Sequence, residues 1–134
     1  MIPENVRKFF NENLWYIATC GDEGSVPNVV PVGFKRVCSD GKLAVGAVLL
    51  ETTLENIKAN GKVAVACANS MTGEAYQIKG TAELMYEGEA YEHYCKLTKD
   101  TFKGTMELKC AIIINPEKLI NASPNEHNKE EISI

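Results

Sequence analysis

Between Leu14 and Ile114 the apolar residues fall into six strand-length runs, and the turns between the first three leave room for nothing but hairpins. A parallel pair of strands needs a crossover of roughly a dozen residues or more. Residues 14–20 read LWYIATC and end at Gly21-Asp22-Glu23-Gly24. Residues 26–37 end at Ser39-Asp40-Gly41, and residues 43–50 follow at once. These three runs are therefore expected to pair antiparallel. Pro27 and Pro31 cannot donate ladder hydrogen bonds, so the second run should be bulged or lie at an edge.

The remaining runs are residues 63–68 (VAVACA), 76–84 and 110–114, the last ended by Asn115-Pro116. Residues 43–50 and 63–68 are apolar throughout, as strands buried on both faces are. Tyr76, Ile78, Ala82 and Leu84 alternate with polar neighbours, as one face of a half-buried strand does. Three segments carry a helical period instead. Ile2, Val6, Phe9 and Phe10 share one face of residues 1–13, with Pro3 and Glu4 suited to a helix start. Residues 53–60 form a short helix, with Thr52 and Glu55 as a capping box and Gly61 as its stop. Residues 87–99 form another, with Tyr91, Tyr94 and Cys95 inward. Helix, three strands, helix, two strands, helix, strand is the order of a mainly β chain with peripheral helices. Its antiparallel sheet should close into a small barrel. One domain over residues 1–120 is expected, followed by a polar, loosely held tail over 121–134.

Composition narrows the function classes. With 45% hydrophobic and 24% charged residues, the 134-residue chain is expected to fold as one globular unit. A net charge of −4 with no Lys/Arg cluster argues against nucleic acid, and no apolar run is long enough to span a membrane. No two of the five cysteines lie within three residues of each other, so no zinc or dithiol motif is present. Cys20, Cys67 and Cys110 read as small core residues. With no secretory signal pattern, a reducing cytoplasm is the expected location. His93 and His127 read as solvated, and no nucleophile motif accompanies them. Neither catalytic residues nor metal ligands are assigned.

Two segments do suggest a ligand. Residues 49–56 (LLETTLEN) carry a strand straight into a helix, whose free N–H groups and dipole suit a phosphate. Thr52 and Thr53 could add donors there, although Thr52 could equally serve as the cap, and Glu51 and Glu55 would repel an anion. In Pro31-Val32-Gly33-Phe34 the prolines and glycine free backbone groups that a flat heterocycle could use. A bulge that merely bends a barrel strand is the plainer reading.

Four segments in order, residues 26–34, 49–56, 76–82 and 111–118, resemble the pyridoxamine 5′-phosphate oxidase-like, FMN-binding split-barrel flavoproteins, and in particular their short members. The resemblance covers residues 1–120. It implies a six-stranded antiparallel Greek-key split barrel that forms a homodimer with FMN at the interface. It places Pro31, Val32 and Gly33 along the isoalloxazine. It places Leu49, Leu50, Glu51, Thr52 and Thr53 along the ribityl chain and phosphate, with Asn56 in the helix and Lys79 near the phosphate. Many relatives carry a lysine immediately before the threonine; this chain has Thr52 there, preceded by Glu51. It also lacks the basic C-terminal segment that holds substrate in true pyridoxamine phosphate oxidases. The implied function is an FMN-dependent oxidoreductase or flavin reductase working with a redox partner. A non-catalytic FMN-binding or electron-transfer module is the alternative.

Overall fold

The computed structural model describes residues 1–134. In chain order the elements are α1 (Glu4–Glu12), β1 (Trp15–Thr19), β2 (Asn28–Val32), β3 (Lys35–Val37), β4 (Leu43–Ala47), α2 (Thr52–Asn60), β5 (Lys62–Ala68), β6 (Ala75–Met85), α3 (Glu89–Phe102), β7 (Cys110–Asn121) and β8 (Glu131–Ile132). All pairings are antiparallel. The sheet runs β2-β1-β5-β6-β7-β4-β3, with β8 added to β7. Its two outermost strands, β2 and β3, are consecutive in the chain. The sheet therefore curls until its two edges meet at the bend Gly33-Phe34, the geometry of a split barrel.

Eight strands replace the six expected, for two local reasons. The second run breaks at Gly33-Phe34, because one straight strand cannot serve both edges of a closing sheet. The tail supplies the other strand. It is not loose: β8 pairs Leu119 with Ile132 and Ile120 with Glu131. The turn before it is held by buried Asn121 and Ser123. Asn121 Nδ2 donates to the His127 carbonyl at 3.1 Å, and Ser123 N donates to Asn121 Oδ1 at 3.0 Å. Polarity here marks a hydrogen-bonded turn rather than a solvated end.

The core fills the barrel. Trp15, Ile17, Leu43, Val45, Val65, Ile78, Ile112, Ile114 and Leu119 are fully enclosed, and α1 and α2 add Val6, Phe9, Phe10, Leu54 and Ile57. Alternation along β4 and β7 sends the small residues Ala44 and Ala111 outward, where α3 packs on them through Tyr94. Tyr94 and Thr98 are its buried residues, while Tyr91 and Cys95 are half-buried. Gly46 is a steric necessity there, since a Cβ would come within 2.8 Å of the Tyr94 ring. Cys67 and Cys110 are buried as expected, but Cys20 is exposed, because β1 ends at Thr19 and leaves it in the turn.

β7 does not end at Asn115-Pro116. It continues to Asn121 because the β6–β7 register shifts between Lys79 and Gly80, so the residue without an N–H is met by an irregularity in the ladder. Gly80 pairs with Pro116, and a Cβ on it would collide with the Asn115 carbonyl.

Candidate functional site

The seam where the barrel edges meet is open. Pro31, Val32, Gly33, Phe34, Gly46, Val48, Leu49, Leu50 and Phe102 line a groove of about 230 Å³. β2 supplies Pro31 and Val32, the segment after β4 supplies Val48, Leu49 and Leu50, and the end of α3 supplies Phe102. Phe34 forms the back of the bend. Its ring stacks on Tyr94 at 6.3 Å and 12°, lies 6.2 Å from Phe102, and its carbonyl accepts from Gly46 N at 2.9 Å. Burial pushes the Tyr94 phenol up to about 12. The hydroxyl stays protonated and donates to the Ala44 carbonyl at 3.2 Å.

Two details describe the open side of the groove. Gly33 has nothing within 4 Å of where a Cβ would stand, so no packing within the chain requires a glycine there. Leu49 is 69% exposed at the rim. No ionisable side chain lines the groove.

One end of the groove leads to the start of α2. Glu51 is the N-cap, not Thr52, and no side chain caps the helix. The first helical backbone bond is Glu55 N to Glu51 O, at 3.1 Å. The N–H groups of Thr52, Thr53 and Leu54 are thus the free donors of the first turn. Thr52 is exposed. Thr53 and Asn56 turn inward and tie α2 to the barrel. Asn28 Nδ2 donates to Thr53 Oγ1 at 3.2 Å, and Asn56 Nδ2 donates to Thr19 Oγ1 at 3.0 Å. A cation lies at the same place. Lys109 Nζ donates to the Leu50 carbonyl at 2.9 Å and sits 3.9 Å from the Glu51 carboxylate.

The structure therefore brings Pro31, Val32, Gly33, Leu49 and Leu50 into one groove, with Glu51, Thr52 and Thr53 at its continuation and Asn56 behind them. Lys79 stands apart within this chain. It points to the outer face of β6, beside Ala18, Thr19, Lys62 and Gly80, because Ile78 takes the inward position. Sequence reasoning missed Lys109 and Phe102. They precede β7 and end α3, and nothing local connects them to residues 49–51. His93 and His127 are both exposed, and no three His, Cys, Asp or Glu residues converge on a metal position. No helix is long and apolar enough to cross a membrane.

A curled antiparallel sheet sealed by one bent strand, with an open apolar groove at the seam, defines the split-barrel class of ligand-binding folds. The comparisons with known proteins are specific within it. Residues 2–128 match the family described as pyridoxamine 5′-phosphate oxidase, and the chain belongs to that family. It is 31% identical over 125 residues to the uncharacterized protein MJ0282 of Methanocaldococcus jannaschii, covering 90% of this chain and 80% of that one. Among solved structures it is similar to HupZ of Group A Streptococcus, with TM-score 0.79 and 28% identity over 93% of this chain and 97% of that one. A putative pyridoxamine 5′-phosphate oxidase from Lactobacillus delbrueckii gives TM-score 0.69 and 25% identity, covering 89% and 93%. An FMN-binding protein from Syntrophomonas wolfei shares the fold at TM-score 0.78 and 17% identity, over 92% of this chain and 87% of that one.

Proposed function

We propose that this protein binds FMN, with the isoalloxazine ring in the groove and the phosphate at the start of α2, and that it acts as a flavin-dependent oxidoreductase. The observation that carries this reading is the continuity of two unlike surfaces. An apolar slot fit for a flat ring leads directly to an uncapped helix start. Free N–H groups and a helix dipole favour a phosphate there, and Lys109 Nζ adds a charge-assisted donor where Thr52 offers none. The bound flavin would supply the hydride and electron steps, and the protein would supply position and electrostatics. Since no ionisable group lines the groove, the same geometry also suits a carrier that passes electrons to a partner without acid–base chemistry of its own.

The working form on this reading is a homodimer. Tyr16 pairs with Pro31 and Ala66, and Ala18 with Val29 and Ala64, so these residues share the outer face of β2, β1 and β5. Tyr16 is 47% and Val29 62% exposed, and Pro31 joins this apolar patch to the groove. A second copy on the patch would cover the open side of the ring. The purified protein should be yellow with a flavin spectrum, bind FMN more tightly than riboflavin, and scatter light at twice 14.7 kDa. A stable monomer that takes up FMN and riboflavin equally would defeat the assignment. Turnover with a reduced nicotinamide and an electron acceptor separates enzyme from carrier.

A further inference from the structure

A second cavity, of about 440 Å³, lies away from the groove and shares no lining residue with it. It is framed by α1, the β3–β4 turn and the first turn of α3. Arg7 reaches it from α1, Arg36 from β3 and Lys42 from the β3–β4 turn, against the carboxylates of Asp40 and Glu89. Such a concentration of cations runs against the chain as a whole, whose net charge is −4.

The two carboxylates offset it only in part, since three cations face two anions. Asp40 Oδ1 is engaged as a turn acceptor for Lys42 N at 3.0 Å. Glu89 meets Arg36 Nη2 at only 3.5 Å, with its own side chain 92% exposed, so it is a loose and displaceable partner. Arg7 pairs only with Glu4, at 3.8 Å along its own helix, and Lys42 forms no ion pair. Arg36 is the centre of the arrangement. Its Nε is sealed from solvent and has no hydrogen-bond partner, the one such side-chain atom in the protein. A buried donor left in this state calls for an acceptor. Beyond the loose Glu89 pair, the Cys38 thiol faces the same guanidinium. Gly88, the N-cap of α3, leaves that helix start without a side-chain cap at the cavity edge.

We propose that this cavity binds a phosphate monoester, with the Arg36 guanidinium as its fork and Arg7 and Lys42 as flanking cations. The guanidinium edge presents two parallel donors, a match for two oxygens of a tetrahedral anion. A phosphate oxygen drawn to the Nε–Nη2 edge would displace Glu89 and satisfy the orphaned Nε–H. The volume leaves room for the organic part of the ester beside Val37 and Ala90. The site is independent of the flavin reading, because no residue is common to both.

The test is titration of the full-length protein with inorganic phosphate, then glycerol phosphate, at constant ionic strength, followed by amide chemical shifts. The expected result is saturable binding, with perturbations at residues 36–42 and 88–90. Arg36→Gln should weaken it at least tenfold. Arg36→Lys, which keeps the charge but loses the fork, should weaken it several-fold. If the Gln variant melts early, Arg36→Lys and Lys42→Gln carry the comparison. FMN is itself a phosphate monoester, so the groove is read with riboflavin, whose affinity should be unchanged in all three, and failure here and failure of the flavin assignment then give different results. Perturbations confined to residues 52–54, affinities indifferent to Arg36, or no saturation would each overturn the proposal.

Discussion

Gly80 and Gly33 lie on opposite sides of one distinction. Gly80 sits in the closed β6–β7 ladder, where a Cβ would strike the Asn115 carbonyl. Gly33 sits at the open seam, outside the positive-φ region that favours glycine, with nothing within 4 Å of the missing Cβ. The first is glycine because the fold has no room. The second is glycine although the fold has room, so packing within the chain does not require it, and on the proposed reading a bound ring or a second copy does. The same contrast separates the regions around them. β6 and β7 enclose Ile78, Ile112, Ile114 and Leu119 completely, whereas the seam leaves Pro31, Gly33 and Leu49 exposed. One region is specified by packing and the other is spared by it.

That comparison can be broken most directly by placing valine at both glycines. Gly80→Val forces backbone apart at the bulge and should cost about 3 kcal/mol or more in urea unfolding, at or above the upper end of ordinary overpacking. Gly33→Val should change stability by less than ~0.5 kcal/mol, yet abolish FMN binding, because the branched side chain fills the slot. Circular dichroism and flavin content measured on one sample decide it. Equal loss of stability in both variants would erase the distinction, and a folded Gly33→Val protein with full flavin occupancy would place the ring elsewhere.

The wall behind the groove offers an intermediate case. Tyr94 holds α3 on β4, and its phenol is pushed up to about 12 by burial. An unfolded tyrosine titrates near pH ~10. Because the folded value is the higher one, this contribution to stability is complete below about pH 10 and is lost as pH climbs toward 12. Tyr94→Phe should flatten the decline in urea midpoint between about pH 9 and about pH 11.5. Some slope should persist, since Tyr76, buried and bonded to Glu74, is likewise pushed up to about 12.

Smaller effects probe the phosphate end. Thr53→Ala removes the acceptor for Asn28 Nδ2 and should lower stability by about 0.5–1.5 kcal/mol, and FMN affinity should fall more than riboflavin affinity. Lys109→Gln removes an exposed cation, so stability should move by less than ~0.5 kcal/mol. FMN should still weaken by roughly fivefold, about 1 kcal/mol, with riboflavin unchanged. Thr52→Lys, which adds a cation to the first helical residue, should tighten FMN and leave riboflavin alone. Calorimetric titration with the two flavins reads all three variants. Parallel shifts in both would remove the phosphate from α2.

Much of this architecture is legible in residue order. Alternation along residues 76–84 identifies β6 and its inward face, and the apolar 43–50 run contains β4, which is enclosed on both faces, whereas the equally apolar 63–68 run is buried on one face only, because β5 turns Ala66 and Ala68 outward on an uncovered side of the sheet. The stop at Gly61 is there too, in the left-handed conformation at φ 71°. Capping was less legible. Thr52 and Glu55 spell a capping box, but the chain enters α2 one residue earlier and leaves Thr52 in solvent. Local hydrogen-bond preference lost there to the path the chain must take out of β4.

What the sequence determines by itself is the set of elements and their inward faces, because hydrophobic period and turn chemistry act over a few residues at a time. Tertiary structure alone decided where the two sheet edges meet, and thus that Gly33-Phe34 is a corner rather than the middle of a strand. It alone carried Phe102 and Lys109 to residues 49–51, and sent Lys79 to another face. Closing the curled sheet sets these distances, and closure depends on every strand at once, so no local pattern in the chain encodes it.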